Sequence, residues 1–202
     1  MHFTTNSRRQ FDELFAASDD PWSFRDRWYE SRKRALTLAC LPRARYSSGY
    51  EPGCANAELS AGLAERCERL LISDGVAAAV QLARQRVAQH PHVTAVQAWM
   101  PDDWPDQRFD LIVVSELGYF LDATALDRLA VRAKASLEEG GDLVACHWRH
   151  PIAGCSMNGD EVHGALSEAL QLPRVWSLVD RDFRLEIWST EERSVGAREQ
   201  LI

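Results

Sequence analysis

The 202-residue sequence has no long apolar run, no cysteine pair at redox or metal spacing, no surplus of positive charge and no complete dinucleotide glycine motif. Each lack narrows the classes of function. A bilayer-spanning helix needs ~20 consecutive apolar residues, so no membrane span and no membrane partner are expected. The opening MHFTTNSRRQFDELF lacks the apolar stretch of a secretory leader, which points to the cytoplasm. The cysteines, Cys40, Cys54, Cys67, Cys146 and Cys155, are odd in number and form no C-x-x-C pair. That argues against a zinc site or a disulfide framework and suits a reducing compartment. With 23 Lys and Arg against 30 Asp and Glu, the net charge is -7, a poor balance for general binding of nucleic acid. The one basic run, Arg32-Lys33-Arg34, reads as a solvated helix face.

What is present is ordinary globular material, 46% apolar and 26% charged, in a length that suits one domain. Helical and strand patterns alternate along it. Asp19-Asp20-Pro21 reads as a turn opening a helix that carries Phe24, Trp28, Ala35 and Ala39 and runs to Cys40. A first strand is expected over Tyr46–Tyr50 and a short helix from Leu59 to near Cys67, then a buried strand at Leu70-Leu71-Ile72. A helix over Val76–Gln89, a strand over Val93–Trp99 and a strand over Phe109–Val114 follow. The last contains the apolar run Leu111–Val114, as in a strand buried on both faces of a parallel sheet. Leu121, Ala125, Leu129, Ala133 and Leu137 share a helical face that Gly140-Gly141 should end. Leu143–Cys146, a helix over Asp160–Leu170, and an antiparallel pair Val175–Val179 with Phe183–Ser189 complete the pattern, before a polar tail from Glu191. Such alternation predicts a doubly wound α/β sheet with helices on both faces. Ligands bind such sheets at the carboxyl ends of the strands.

At that end the first strand runs into Glu51-Pro52-Gly53-Cys54, and a helix follows. Gly53 permits a tight turn and close approach of a ligand. Free amides at the next helix start can hold a polar group. Asp74 stands 74 − 53 = 21 residues after Gly53, close to the ~20-residue offset of a carboxylate that accepts ribose hydroxyls. Asp74 could equally cap the helix near Val76. Ala55 and Ala57 stand where a dinucleotide loop would have glycine. A pyrophosphate needs that bare backbone, whereas S-adenosylmethionine carries no phosphate, so the methyl donor is favoured over NAD.

Five stretches, DPWSFRDRWYESRKR (Asp20–Arg34), EPGCANAELS (Glu51–Ser60), FDLIVVSELGYFLD (Phe109–Asp122), GGDLVACHWRHP (Gly140–Pro151) and GDEVH (Gly159–His163), carry a resemblance. The chain resembles the class I S-adenosylmethionine-dependent methyltransferases, and among them the nodulation protein S-like group. The resemblance implies a Rossmann-like, seven-stranded, mostly parallel sheet with an antiparallel last strand. It also implies methylation of a small molecule; the namesake N-methylates an amino sugar of a deacetylated chitooligosaccharide. Residues 1–40 would cap the donor site, 41–190 form the core and 191–202 the tail. By position, Glu51, Gly53 and Cys54 would lie at the methionine part of the donor, Asp74 at the ribose, Trp99 and Met100 at the adenine, and Ser115, Glu116 and Tyr119 near the sulfonium. Trp22, Tyr29 and Arg32 would close over the donor, with Arg32 paired to its carboxylate. The sequence departs from the group at Ala57, where glycine is common, and in the polar first strand.

Methyl transfer to an amine needs in-line positioning, exclusion of water and a neutral nitrogen. His147 and His150 follow the fifth strand and His163 lies in GDEVH, which makes the three candidates for general base beside Glu116 and Tyr119. His90 and His92 read as a loop pair. Trp22, Trp28, Tyr29, Phe120 and Trp148 could line a donor-covering or sugar-stacking surface. The resemblance implies an amino-bearing small molecule as acceptor, an amino sugar or oligosaccharide. O-methylation and a non-catalytic binding module are the alternatives.

Overall fold

The computed structural model describes residues 5–202, with side chains from Arg8 onward. Helix α1 (Thr5–Ala17) and helix α2 (Trp28–Ala39) precede the sheet. There follow β1 (Gly49–Pro52), α3 (Glu58–Ala64), β2 (Leu70–Asp74), α4 (Ala77–Arg86), β3 (Val93–Gln97) and β4 (Phe109–Ser115). A 3-10 turn (Gly118–Phe120) leads to α5 (Ala123–Ser136), β5 (Leu137–Trp148), α6 (Gly159–Leu170), β6 (Arg174–Val179), β7 (Phe183–Ser189) and α7 (Val195–Arg198).

The strands form one sheet in the order β3-β2-β1-β4-β5-β7-β6. The β1–β2, β1–β4, β2–β3 and β4–β5 pairs are parallel, whereas β7 runs antiparallel to both β5 and β6. The last strand in sequence is therefore the reversed one, as expected. Strand order switches direction between β1 and β4, and the crevice that opens there is where a ligand belongs. The apolar run of β4 serves both faces. Ile112 and Val114 join the core shared with α5 and α6, and Leu111 and Val113 join the core shared with α3 and α4.

Several boundaries differ from the sequence reading, each for a local reason. The first strand starts at Gly49 because the amides of Ser47 and Ser48 both donate to the Asp110 carboxylate, at 2.8 Å each, instead of to a neighbouring strand. Only Tyr46 bridges to Cys67 there. Gly140-Gly141 does not end α5. The helix stops at Ser136, whose hydroxyl accepts from Trp104 Nε1, and Gly140, with φ +72°, lies in a bulged part of β5. Helix α2 starts at Trp28 rather than at Pro21, since the Asp20 carboxylate takes the amides of Phe24 and Arg25 and holds that segment as a turn. Its inward face is Glu30, Lys33 and Thr37, polar residues at helical spacing, while Trp28 is 76% exposed. The polar tail carries the short helix α7. Helix α1 was not expected, although Phe11, Leu14 and Phe15 give it one apolar face.

No helix among the described residues is long and apolar enough to cross a membrane, and none of their Asp, Glu, His and Cys side chains cluster as a metal site. The five cysteines are free thiols.

Candidate functional site

The carboxyl ends of β1 to β5 open into one cavity of about 700 Å³, roofed by α1 and the segment that leads into α2. Its size is that of a pocket for a cofactor together with a second small molecule. Gly53 leaves β1 with φ +75°, which turns the chain away from the cavity floor. Asp74 ends β2. Its carboxylate accepts from the amides of Ala55 (3.0 Å) and Val76 (2.9 Å), so it ties the glycine turn to the start of α4 and also faces the cavity. The capping and ligand-facing readings of Asp74 therefore coexist, because each oxygen keeps a second lone pair. Burial pushes its pKa up to about 6, against the pull of its backbone hydrogen bonds. Trp99 leaves β3 and lies flat on Gly75; a Cβ there would stand 2.3 Å from the indole, so only glycine permits the contact. Ala98, Trp99 and Met100 together form the third wall.

A smaller neighbouring cavity of about 60 Å³ is lined by Glu51, Gly53, Cys54, Ser115 and Glu116, with Lys33 and Arg34 above them. Glu51 accepts from Ser60, and burial pushes its pKa up to about 8, so it carries a proton at neutral pH. Ala57, at φ +63°, caps α3 in the left-handed region. A glycine adopts that conformation freely, whereas alanine bears about 1 kcal/mol of strain.

The fourth wall follows β4. Glu116 has φ +55°, an unfavourable conformation for a residue with a Cβ, and its amide donates to the Cys146 carbonyl at 2.9 Å. The turn swings its carboxylate toward α2, where Lys33 Nζ lies 3.2 Å away. Lys33 also pairs with Glu30 at 3.0 Å. Burial disfavours the ammonium, but Glu116 and Glu30 outweigh it and hold the Lys33 pKa above its ordinary value. Tyr119 donates to the other oxygen of Glu116. Burial, reinforced by the Glu116 charge, raises the phenol pKa of both Tyr119 and Tyr29.

The histidines correct the sequence reading. His147 and His163 are buried and do not line the cavity. The Gly118 amide donates to His147 Nε2 at 3.0 Å. The remaining proton of a neutral His147 must then sit on Nδ1, where it donates to His163 Nε2 at 3.2 Å. His163 Nδ1 in turn donates to Glu186 at 2.7 Å. Glu186 also takes Arg174 and Arg184, at 2.8 Å each, and against burial the hydrogen bonds from His163 and Arg184 pull its pKa down to about 2. Both imidazoles have lowered pKa values, burial being the main cause. They have no free lone pair and no contact with the cavity, so they fix the turn at Gly118 and cannot serve as base to an acceptor. His150 is exposed and bound to Asp182 at 2.9 Å. Arg149 is occupied by Asp160 and the Asp180 carbonyl.

Arg32 is also displaced from its expected place. It pairs with Asp180 at 2.8 Å, lies over the Phe183 ring and does not line either cavity. Its neighbour Lys33 is the buried cation instead, which contradicts the solvated-face reading of that residue. Trp22, Tyr29 and Trp148 do line the large cavity, whereas Trp28 points to solvent.

A family model described as "Nodulation protein S (NodS)" matches residues 4–169. The chain belongs to the nodulation protein S family. A member from Rhizobium tropici is 33% identical over 130 residues, which cover 63% of this chain and 55% of that protein. The chain thus spans little more than half the length of that curated relative. Among solved structures, the N-methyltransferase NodS from Bradyrhizobium japonicum WM9, in complex with S-adenosyl-L-homocysteine, is 28% identical, with a TM-score of 0.83 over 92% of this chain and 99% of that one. A Pseudomonas syringae protein described as a candidate methyltransferase is 53% identical, with a TM-score of 0.73 over 81% of this chain and 99% of that one. The family thus agrees with the Rossmann-like methyltransferase fold described above. Within it, Glu30 and Lys33 are the site residues that sequence reasoning missed; their signal was three polar residues, Glu30, Lys33 and Thr37, on one helical face.

Proposed function

We propose that the chain is an S-adenosylmethionine-dependent methyltransferase that acts on the nitrogen of an amino-bearing small molecule. The observation that carries this reading is one cavity lined by two sets of groups: the Gly53 turn, Asp74 and Trp99, and the carboxylates of Glu30 and Glu116. The first set fits the donor. Asp74 offers lone pairs to ribose hydroxyls, Trp99 and Met100 flank a flat ring, and Arg34, in place of Arg32, supplies positive charge beside Gly53, Cys54 and Ser115. When bound, S-adenosylmethionine supplies an electrophilic methyl group on a sulfonium. An amino sugar is the acceptor that the family resemblance implies, and a reducing cytoplasm suits the free thiols.

The chain's own part is positioning and charge. An acceptor arrives as an ammonium, which the Glu116 carboxylate can accept from. One proton must leave before the nitrogen lone pair is available. Glu116 is the nearest proton acceptor, and its partial exposure gives the proton a path to water. Lys33 lies 3.2 Å from one Glu116 oxygen and Tyr119 donates to the other, which holds the carboxylate in place. Helix α1 excludes water above.

Mass spectrometry after incubation with S-adenosylmethionine and a panel of amines and alcohols tests this. We expect an amine to gain one methyl group, and Glu116→Gln to lower turnover by ~100-fold. Methylation of alcohols alone would contradict N-methylation. Full turnover in Glu116→Gln with a confirmed acceptor would remove Glu116 from the chemistry.

A further inference from the structure

The large and the small cavity meet at a charged cluster. Gly53, Glu30, Lys33 and Glu116 line both, so these residues stand at the boundary between them. Lys33 is buried, with Nζ 3.0 Å from Glu30 and 3.2 Å from Glu116, and its ammonium lies 5.0 Å from the centre of the Tyr29 ring. Tyr119 donates to the second Glu116 oxygen, and burial together with the Glu116 charge keeps that phenol protonated. Burial raises the Glu30 pKa, and Lys33 draws it back down. Two carboxylates alone in so buried a place would repel each other, and one would take up a proton. The ammonium between them lets both stay charged. Two carboxylates and one ammonium leave the cluster one net negative charge, which acts on a neighbouring ligand through its field and needs no free lone pair.

We propose that the Glu30–Lys33–Glu116 cluster is the counter-charge to the donor's sulfonium and makes the site prefer S-adenosylmethionine to S-adenosylhomocysteine. A donor with its nucleoside against Asp74 and Trp99 and its amino-acid end beside Ser115 and Arg34 has its sulfur, which joins the two parts, at the boundary where the cluster stands. A sulfonium carries a full positive charge but no N–H or O–H, so a protein can recognise that charge only by placing an opposite one near it in a poorly solvated place. Arg34 opposes the cluster, but the carboxylate that both ligands carry matches it, so its effect cancels between them. The two ligands differ only in the methyl group and its charge. In the transfer, the deprotonated acceptor nitrogen forms the N–C bond with its lone pair as the S–C bond breaks, and the electron pair of that bond stays on sulfur as a neutral thioether. The spent donor no longer matches the cluster, which favours its release.

The inference rests on the methyltransferase reading, and its test separates the two. The full chain is titrated calorimetrically at pH 7.5, without an acceptor, with S-adenosylmethionine and with S-adenosylhomocysteine. The native chain is expected to bind S-adenosylmethionine roughly tenfold or more tightly. Glu30→Gln and, independently, Glu116→Gln remove one charge with little change of shape, and each should cut that ratio by about threefold or more. A merely structural role would lower both affinities alike and leave the ratio unmoved. Equal or tighter binding of S-adenosylhomocysteine by the native chain overturns the proposal, as does a ratio that neither folded variant changes. Either result leaves the methyltransferase reading standing, because both ligands bind. Binding of neither ligand defeats that reading as well.

Discussion

Glu116 shows how one residue's backbone carries a site. Its positive φ is unfavourable, yet the conformation is pinned from both sides, by its own amide on Cys146 and by the Gly118 amide on His147. Strain of this kind persists only where the surroundings overdetermine it. The His147–His163–Glu186 chain is that surrounding, and its direction is fixed by the backbone amide at one end and the arginine-held carboxylate at the other. Both imidazoles should therefore stay neutral with the proton on Nδ1. Nitrogen-15 NMR should show that tautomer for each from about pH 6.5 to 8; a midpoint of titration for either within that range would contradict the chain. The sign for stability follows. Both folded pKa values lie below the unfolded one, so acid protonates the unfolded state first, and stability declines as pH falls below about 6.5. His147→Ala leaves the Gly118 amide buried without an acceptor and should cost about 1–3 kcal/mol of stability.

At the scale of elements, strands were more legible than the N-terminal helices. The apolar run of β4 declared a strand buried on both faces, because every residue of it packs against one helix layer or the other. The parallel-sheet reading and the reversed last strand followed from such patterns. Helix α2 misled because apolar periodicity finds the face that packs on a core, and this helix instead turns Glu30 and Lys33 into a site. Helix α1 attaches to the body mainly through Phe15 against Val76 and Ala79, and through Phe11 against Phe120. A helix held by so few apolar side chains should open locally more often than the sheet. Hydrogen exchange in residues 8–27 should slow at least about tenfold when S-adenosylhomocysteine binds. Unchanged protection there would make α1 and the turn after it ordinary structure and no cover.

At the scale of the molecule, the doubly wound order brings the ends of five strands to one cavity, and residues far apart in sequence meet there. Gly53 and Asp74 were readable as a pair that meets at the cavity, because their spacing is a property of one strand-helix-strand unit. The meeting of Glu30 and Lys33 with Glu116 was not, since the first two lie on α2 and Glu116 follows β4, and no local pattern records that contact. His147 and His163 had the right chemistry, but their hydrogen bonds turn them inward, and His150 stays exposed on Asp182. The central claim is that Asp74 faces the methyl donor across this cavity. Titration calorimetry with S-adenosylhomocysteine, on the native chain and on Asp74→Ala, tests it most directly. The account predicts binding at pH 7.5 that Asp74→Ala weakens by about 10- to 150-fold, the loss of a charged acceptor worth ~1.5–3 kcal/mol. Native affinity should also drop about tenfold between pH 7.5 and pH 5, as Asp74 is protonated near its pKa of about 6, and Asp74→Ala should abolish that drop. Equal affinity in the two chains, with the same pH profile, would contradict it.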